Sequence, residues 1–291
     1  MTLTKKYFHL FILLLAGIII QAAATAQIVK EPANSPKEWY QPYPPFRIAG
    51  NLYYVGTYDL AVYLIVTDKG NILINTGLAN SLPIIQQNIR NLGFKFEDIK
   101  ILLTTQAHHD HLGAMAAVKK ITGAKFYVDS GDADVVKSGG ATDYEMGKYG
   151  VTYTPVQPDS LLHNESNIEL GNTKLTLLHH PGHTKGACSY LLSVKDEKRN
   201  YTVLIANIPS IIIEGKFSQV KGYPTIKEDY AYTFSAMKKL KFDLWVASHA
   251  SQFELHKKHK PGDAYNPLAF QDRKGYLAAI AACETVYKEK Q

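Results

Sequence analysis

Apolar and polar positions along this chain follow two periods, and the switches between them outline its elements. Short β-rich runs at 51–56, 60–67 and 71–75 are separated by Gly56-Thr57-Tyr58-Asp59 and Asp68-Lys69-Gly70, the second a tight-turn signal. At 81–92 the period becomes helical, with Leu82, Ile85, Ile89 and Leu92 on one face and Ser81 as the expected N-cap. A strand at 99–103, a helix at 114–121 and a strand at 125–128 follow. The second half repeats the theme more loosely: strands at 167–178, 187–194, 201–205 and 244–247, and helices at 229–240 and 267–287. Two β-rich halves with helices and no linker predict an α/β fold in which two sheets pack face to face with helices outside. No short sequence repeat accompanies the two halves, so the duplication is architectural only.

The first thirty residues change this picture. Lys5 and Lys6, an apolar stretch at 8–20 and the small residues Ala24-Thr25-Ala26 have the layout of a secretory signal. Residues 1–26 are expected to be removed, leaving a single domain at 27–291 that is exported to the periplasm and carries no membrane anchor. The apolar stretch is shorter than a span requires and is broken by Gly17 and Gln21. The formal charge of the full chain is +6, and it is scattered. The densest basic run, His256-Lys257-Lys258-His259-Lys260, lacks an aromatic platform or groove pattern, so no nucleic-acid partner is expected. No heptad pattern calls for a protein partner, which makes a monomer the expectation. Cys188 and Cys283 are the two cysteines; a disulfide and two free thiols both fit an exported chain.

The chemistry is concentrated in Thr104-Thr105-Gln106-Ala107-His108-His109-Asp110-His111, directly after an apolar strand. Three histidines and a carboxylate in four positions, delivered at the edge of a sheet, are the ligand types that suit Zn²⁺. Two further strand ends present histidine: His183 within His179-His180-Pro181-Gly182-His183-Thr184, and His249 after Leu244-Trp245-Val246-Ala247-Ser248. A metal site at one rim of a sheet needs that arrangement. His109 is expected to face solvent, and His179 and His180 to orient or pack.

With these residues in view, the chain resembles the metallo-β-lactamase superfamily, whose first motif is His-x-His-x-Asp-His. It is most similar to subclass B3, in the branch where glutamine, here Gln106, replaces the first histidine. The likeness runs over the whole chain after the signal, including Tyr53-Tyr54-Val55-Gly56, the first motif, His-Pro-Gly-His-Thr and Ser248-His249. The resemblance implies an αββα sandwich of two mixed sheets. It also implies one zinc position at Gln106, His108 and His183, and a second at Asp110, His111 and His249. A neutral amide oxygen is a poorer zinc ligand than imidazole, so the second position is the more secure of the two.

The implied reaction is zinc-dependent hydrolysis of the β-lactam amide bond, carbapenems included, by a metal-activated hydroxide that Asp110 orients. By the same resemblance Ser210 contacts the substrate carboxylate, while Ile208 stands where serine is frequent; an ordinary turn serine is the other reading of Ser210. The glycine-rich aromatic stretch 144–153 is read either as a wall or lid of the pocket or as half-buried packing. Lactonases and thioester hydrolases of the same fold are the rival enzymes, and a non-catalytic zinc-binding protein is a third possibility. The segment Leu204-Ile205-Ala206-Asn207 offers neither the bridging aspartate of the rival hydrolases nor the cysteine of other metallo-β-lactamase subclasses.

Overall fold

A computed structural model describes residues 29–291; the expected signal segment and its cleavage point lie outside them. The first sheet is built in chain order from β1 (Phe46–Ala49), β2 (Leu52–Tyr54), β3 (Tyr63–Thr67), β4 (Gly70–Ile74), β5 (Ile99–Leu103), β6 (Lys125–Asp129) and β7 (Ser160–Leu162). Its first three pairings are antiparallel and the rest parallel. Parallel neighbours need crossovers. These carry α1 (Leu82–Asn91), the single turn α2 (His109–Leu112), α3 (Met115–Thr122) and α4 (Ala133–Lys137).

The second sheet holds β8 (Asn167–Leu170), β9 (Thr173–His179), β10 (Cys188–Lys195), β11 (Asn200–Ala206) and β12 (Leu244–Ala247), in the order β12-β11-β10-β9-β8. Only β11 and β12 run parallel, and α5 (Ile226–Lys239) links them. The one-turn α6 (Leu255–Lys258) and the long α7 (Arg273–Glu289) close the chain.

Alternation along each strand decides which core a side chain joins. Ile65, Ile72 and Leu103 point into the layer between the sheets, where they meet Leu175, Leu192 and Val203 of the second sheet. Leu64, Leu73 and Leu102 point the other way, against Ile85 and Ile89 of α1 and Met115 and Val118 of α3. The predicted sandwich of two mixed sheets is therefore the observed fold.

Three expectations need correction. The strand expected at 167–178 is a hairpin, because Gly171 takes φ +55° and turns the chain between β8 and β9. The closing helix begins at Arg273; the preceding Pro267–Phe270 forms a separate 3-10 turn, and Asp272 caps α7 by accepting from Gly275 N–H. Ser81 stands at the N-cap of α1 as expected, but its side chain makes no capping bond to the helix. Its hydroxyl accepts from Leu78 N–H at 3.0 Å, closing the 3-10 turn Ala79–Ser81 that precedes the helix.

No helix among the described residues is long and apolar enough to cross a membrane. Cys188 is buried and Cys283 half-buried, and both are free thiols.

Candidate metal centre

The histidines meet because the ends of three strands face one rim. β5 ends at Leu103, and Thr104 and Thr105 then enter the gap between the sheets. Asn75, at φ +64°, turns its side-chain oxygen toward them and accepts from Thr105 N–H at 2.9 Å. The second sheet grips the same two residues. Tyr190 Oη donates to Thr104 O at 2.8 Å, and Cys188 N–H and Asn207 Nδ2 each donate to Thr105 O at 2.9 Å. Pinned on both sides, the backbone then delivers Gln106, His108, Asp110 and His111 to the rim. His183 arrives on the loop after β9, at a bend where Gly182 has φ +132°. A Cβ there would stand 2.7 Å from the Tyr230 ring, so both the conformation and the space call for glycine. His249 follows β12 directly.

Two clusters of ligand atoms result. Asp110 Oδ2 lies 3.3 Å from His111 Nε2 and 3.3 Å from His249 Nε2, and the ligand atoms of these three residues all fall within 4.8 Å of one another. Beside them, His108 Nδ1 lies 3.1 Å from His183 Nε2. Ligand atoms on a tetrahedral ion with bonds of about 2.0–2.1 Å stand about 3.3 Å apart. Both spacings fit a zinc-sized ion, and His111 Nε2 is a buried nitrogen with no hydrogen-bond partner of normal geometry. Gln106 lines the same cleft, which holds about 190 Å³ and is walled by Trp39, Met146, Ser210 and Ile212. A larger cavity of about 440 Å³ lies between Phe46, Arg47, Lys258 and Tyr265, but it gathers no ligand cluster.

The electrostatics keep Asp110, His111 and His183 in ligand form, whereas carboxylates outweigh burial at the other two histidines: Asp143 raises His108, and Asp110 and Asp59 bring His249 up to about 9. Asp110 is buried, which alone would raise its pKa; the charge and hydrogen bonds of His111 and His249 outweigh burial and hold it well below the usual carboxylate range. Burial and the neighbouring His108 push His183 down to about 3, leaving a neutral imidazole. Its Nδ1 lies 2.7 Å from Ser210 O, which accepts the ring proton and turns Nε2 toward His108. Burial also lowers His111.

The structure brings all seven candidate residues, Gln106, His108, Asp110, His111, His183, Ser210 and His249, to one place. His109 corrects an expectation: it is 5% exposed rather than solvent-facing, packs 6.1 Å from the Trp39 ring, and neither ring nitrogen has a partner. His179 and His180 are engaged elsewhere, with Asp129 and Ser189, each at 2.8 Å. The stretch 144–153 contributes Met146 to the cleft wall. Two of its tyrosines are props: Tyr144 Oη donates to His183 O at 3.1 Å and Tyr153 Oη to Ala107 O at 3.0 Å, while Tyr149 is exposed.

Three residues escaped the sequence reading. Trp39 caps the cleft, Asp59 backs His249 at 3.2 Å, and Asp143 faces His108 at 3.4 Å. Asp59 read as a turn residue, and nothing local marks the other two.

Comparison with known proteins points to one family. Residues 58–196 match the family model of the metallo-beta-lactamase superfamily. The structure is similar to that of the metallo-beta-lactamase GOB-18 from Elizabethkingia meningoseptica, with 65% identity and a TM-score of 0.90, covering 91% of this chain and 98% of that one. It is also similar to the class B3 di-zinc metallo-beta-lactamase LRA-12 from an Alaskan soil metagenome, at 61% identity and a TM-score of 0.89, with 90% and 99% covered. A probable metallo-hydrolase of Methanocaldococcus jannaschii is 26% identical over 134 residues, 46% of this chain; the match spans 63% of that relative's length.

Proposed function

The chain belongs to the metallo-beta-lactamase superfamily, and from that premise we infer that it is a β-lactam hydrolase that inactivates β-lactam antibiotics. The observation that carries this reading is the convergence of Asp110, His111 and His249 beside His108 and His183, in a chain 65% identical to a metallo-beta-lactamase over nearly all of that protein.

In this reading His108 and His183, with the amide oxygen of Gln106, would hold one zinc ion, and Asp110, His111 and His249 would hold a second. Zinc held by these residues would supply Lewis acidity, favouring attack by water on the lactam carbonyl at neutral pH. Asp110 is the catalytic carboxylate: held ionised at the floor of the cleft, it orients the attacking water. Water adds its oxygen to the lactam carbon, the strained C–N bond breaks, and the ring nitrogen takes up the proton. No serine nucleophile or acyl intermediate takes part. Ser210 sits at the cleft wall with its hydroxyl 3.2 Å from His183 Nδ1, and we assign it to the substrate carboxylate. Trp39 and Ile212 supply apolar wall for the rest of the antibiotic. Carbapenems are included among the substrates, and export to the periplasm as a monomer, directed by residues 1–26, brings the enzyme to them.

The test is the loss of carbapenem absorbance with purified protein, with added zinc and after chelation. Hydrolysis abolished by chelator and restored by zinc is expected. Absence of hydrolysis of carbapenem, penicillin and cephalosporin by protein with bound zinc would instead point to a lactone or thioester substrate.

A further inference from the structure

We propose that Asp143 is a positioning residue for the first zinc position: it selects the His108 tautomer whose Nδ1 lone pair faces the cleft. In doing so it offsets the weak ligand at Gln106. The inference rests on the assignment of Gln106, His108 and His183 to that position.

The two nitrogens of His108 meet different surroundings. Nδ1 faces His183 Nε2 at 3.1 Å, on the cleft side. Nε2 faces inward, is buried, and has no hydrogen-bond partner of normal geometry; the carboxylate opposite it is Asp143 Oδ2, at 3.4 Å. The Asp143 side chain is 2% exposed. Its other oxygen is already committed, accepting from Glu145 N–H at 2.9 Å and Met146 N–H at 2.6 Å. A carboxylate has no proton to give, so the stable partner for Oδ2 is an Nε2–H, which leaves Nδ1 as the lone pair. A charged acceptor behind the ring also raises its basicity as a ligand. That gain matters more here than at a position with three imidazoles, because Gln106 contributes only a neutral amide. The same carboxylate fixes Met146, which lines the cleft, so the metal position and the cleft wall share one anchor.

Asp143→Asn separates these effects with almost no change in shape. The amide oxygen can keep the two backbone N–H bonds, but the NH₂ group then faces Nε2. That nitrogen must accept, and the ring proton moves to Nδ1. Zinc titration of the metal-free protein against a chromophoric chelator is expected to show first-position affinity about 10- to 100-fold weaker, with the second position unchanged. Adding Gln106→His to Asp143→Asn should restore most of the loss, which a general packing defect would not allow. In the unsubstituted protein, ¹⁵N shifts of His108 should report protonated Nε2.

Coincident titrations of Asp143→Asn and the original protein, or a neutral His108 ring that carries its proton on Nδ1, would overturn the inference while leaving the zinc assignment standing. Uptake of a single ion that His108→Ala leaves unaltered would overturn the assignment and the inference together.

Discussion

His249 bridges two carboxylates: its Nδ1 lies 3.2 Å from Asp59 Oδ2 and its Nε2 lies 3.3 Å from Asp110 Oδ2. Trp39 covers the ring at 5.6 Å between centroids and donates its indole N–H to the same Asp59 oxygen at 3.1 Å. Burial would raise the Asp59 pKa, but the bond to His249, its charge, and the Ser251 contacts outweigh burial and bring it down to about 2. A carboxylate so firmly ionised fixes the ring through Nδ1–H and aims Nε2 at the metal position, where an ion has a proton to displace because Asp110 and Asp59 bring His249 up to about 9.

Removing that support is expected to act at the second zinc position. Asp59→Ala should weaken zinc binding there by about 10- to 100-fold, read by competition with a chelator of known affinity. Unchanged affinity would mean that packing under Trp39 is enough to hold His249.

Asp110 carries a heavier load, since one oxygen faces two histidines and the proposed reaction makes the group its catalytic carboxylate. Asp110→Asn should lower kcat for β-lactam hydrolysis by at least about a hundredfold, the scale of losing one electrostatic or general-base contribution. Its circular dichroism should match the original, since Asn is nearly isosteric. Turnover at the original rate would remove Asp110 from the catalytic role.

Asp132 predicts a pH effect on stability. It is fully buried, accepting from Thr184 Oγ1 at 2.7 Å and Gly186 N–H at 2.8 Å. Burial raises its pKa to about 7 from 3.8, against the pull of those bonds. The folded form therefore binds this proton more tightly than the unfolded chain. Its contribution is complete below pH 3.8 and is lost as pH rises through about 7. Urea unfolding of the metal-free protein should show the advantage over Asp132→Asn shrinking from pH 4 to pH 7, by up to about 4 kcal/mol. A pH-independent difference would contradict the shift.

Gly113 follows the metal motif where α2 meets the loop after β4. Its N–H donates to Gly77 O at 2.9 Å, and a Cβ would stand 2.4 Å from Ala79 N and 2.5 Å from Leu78 C. These are backbone atoms that cannot rotate away. Gly113→Ala should destabilise by about 1–3 kcal/mol, the usual scale of overpacking, seen as a lower Tm. An unchanged Tm would show that the loop yields freely.

The candidate ligand cluster was unusually legible because much of it is local. Gln106, His108, Asp110 and His111 fall within six positions, and His183 and His249 each follow a strand that alternation and β-propensity reveal. The boundaries that failed did so where one residue outweighed the pattern. Gly171 split an apolar run into a hairpin, and Asp272 restarted a helix after the 3-10 turn. The short β1, β7 and α4 were not foreseen, being too brief for periodicity to register.

By itself the sequence determined the two-period layout, the sandwich and the candidate donor residues, since each depends on neighbours along the chain or on side-chain type. Only the tertiary structure decided what stands behind each donor. Asp59 is 190 residues from His249, Asp143 is 35 from His108, and the Ser210 carbonyl is 27 from His183. Such contacts leave no periodic trace in sequence, because they arise when strand ends from two sheets are packed against one rim. The burial of His109 has the same origin: local polarity argued for solvent, and the Trp39 ring, 70 positions away, excludes it.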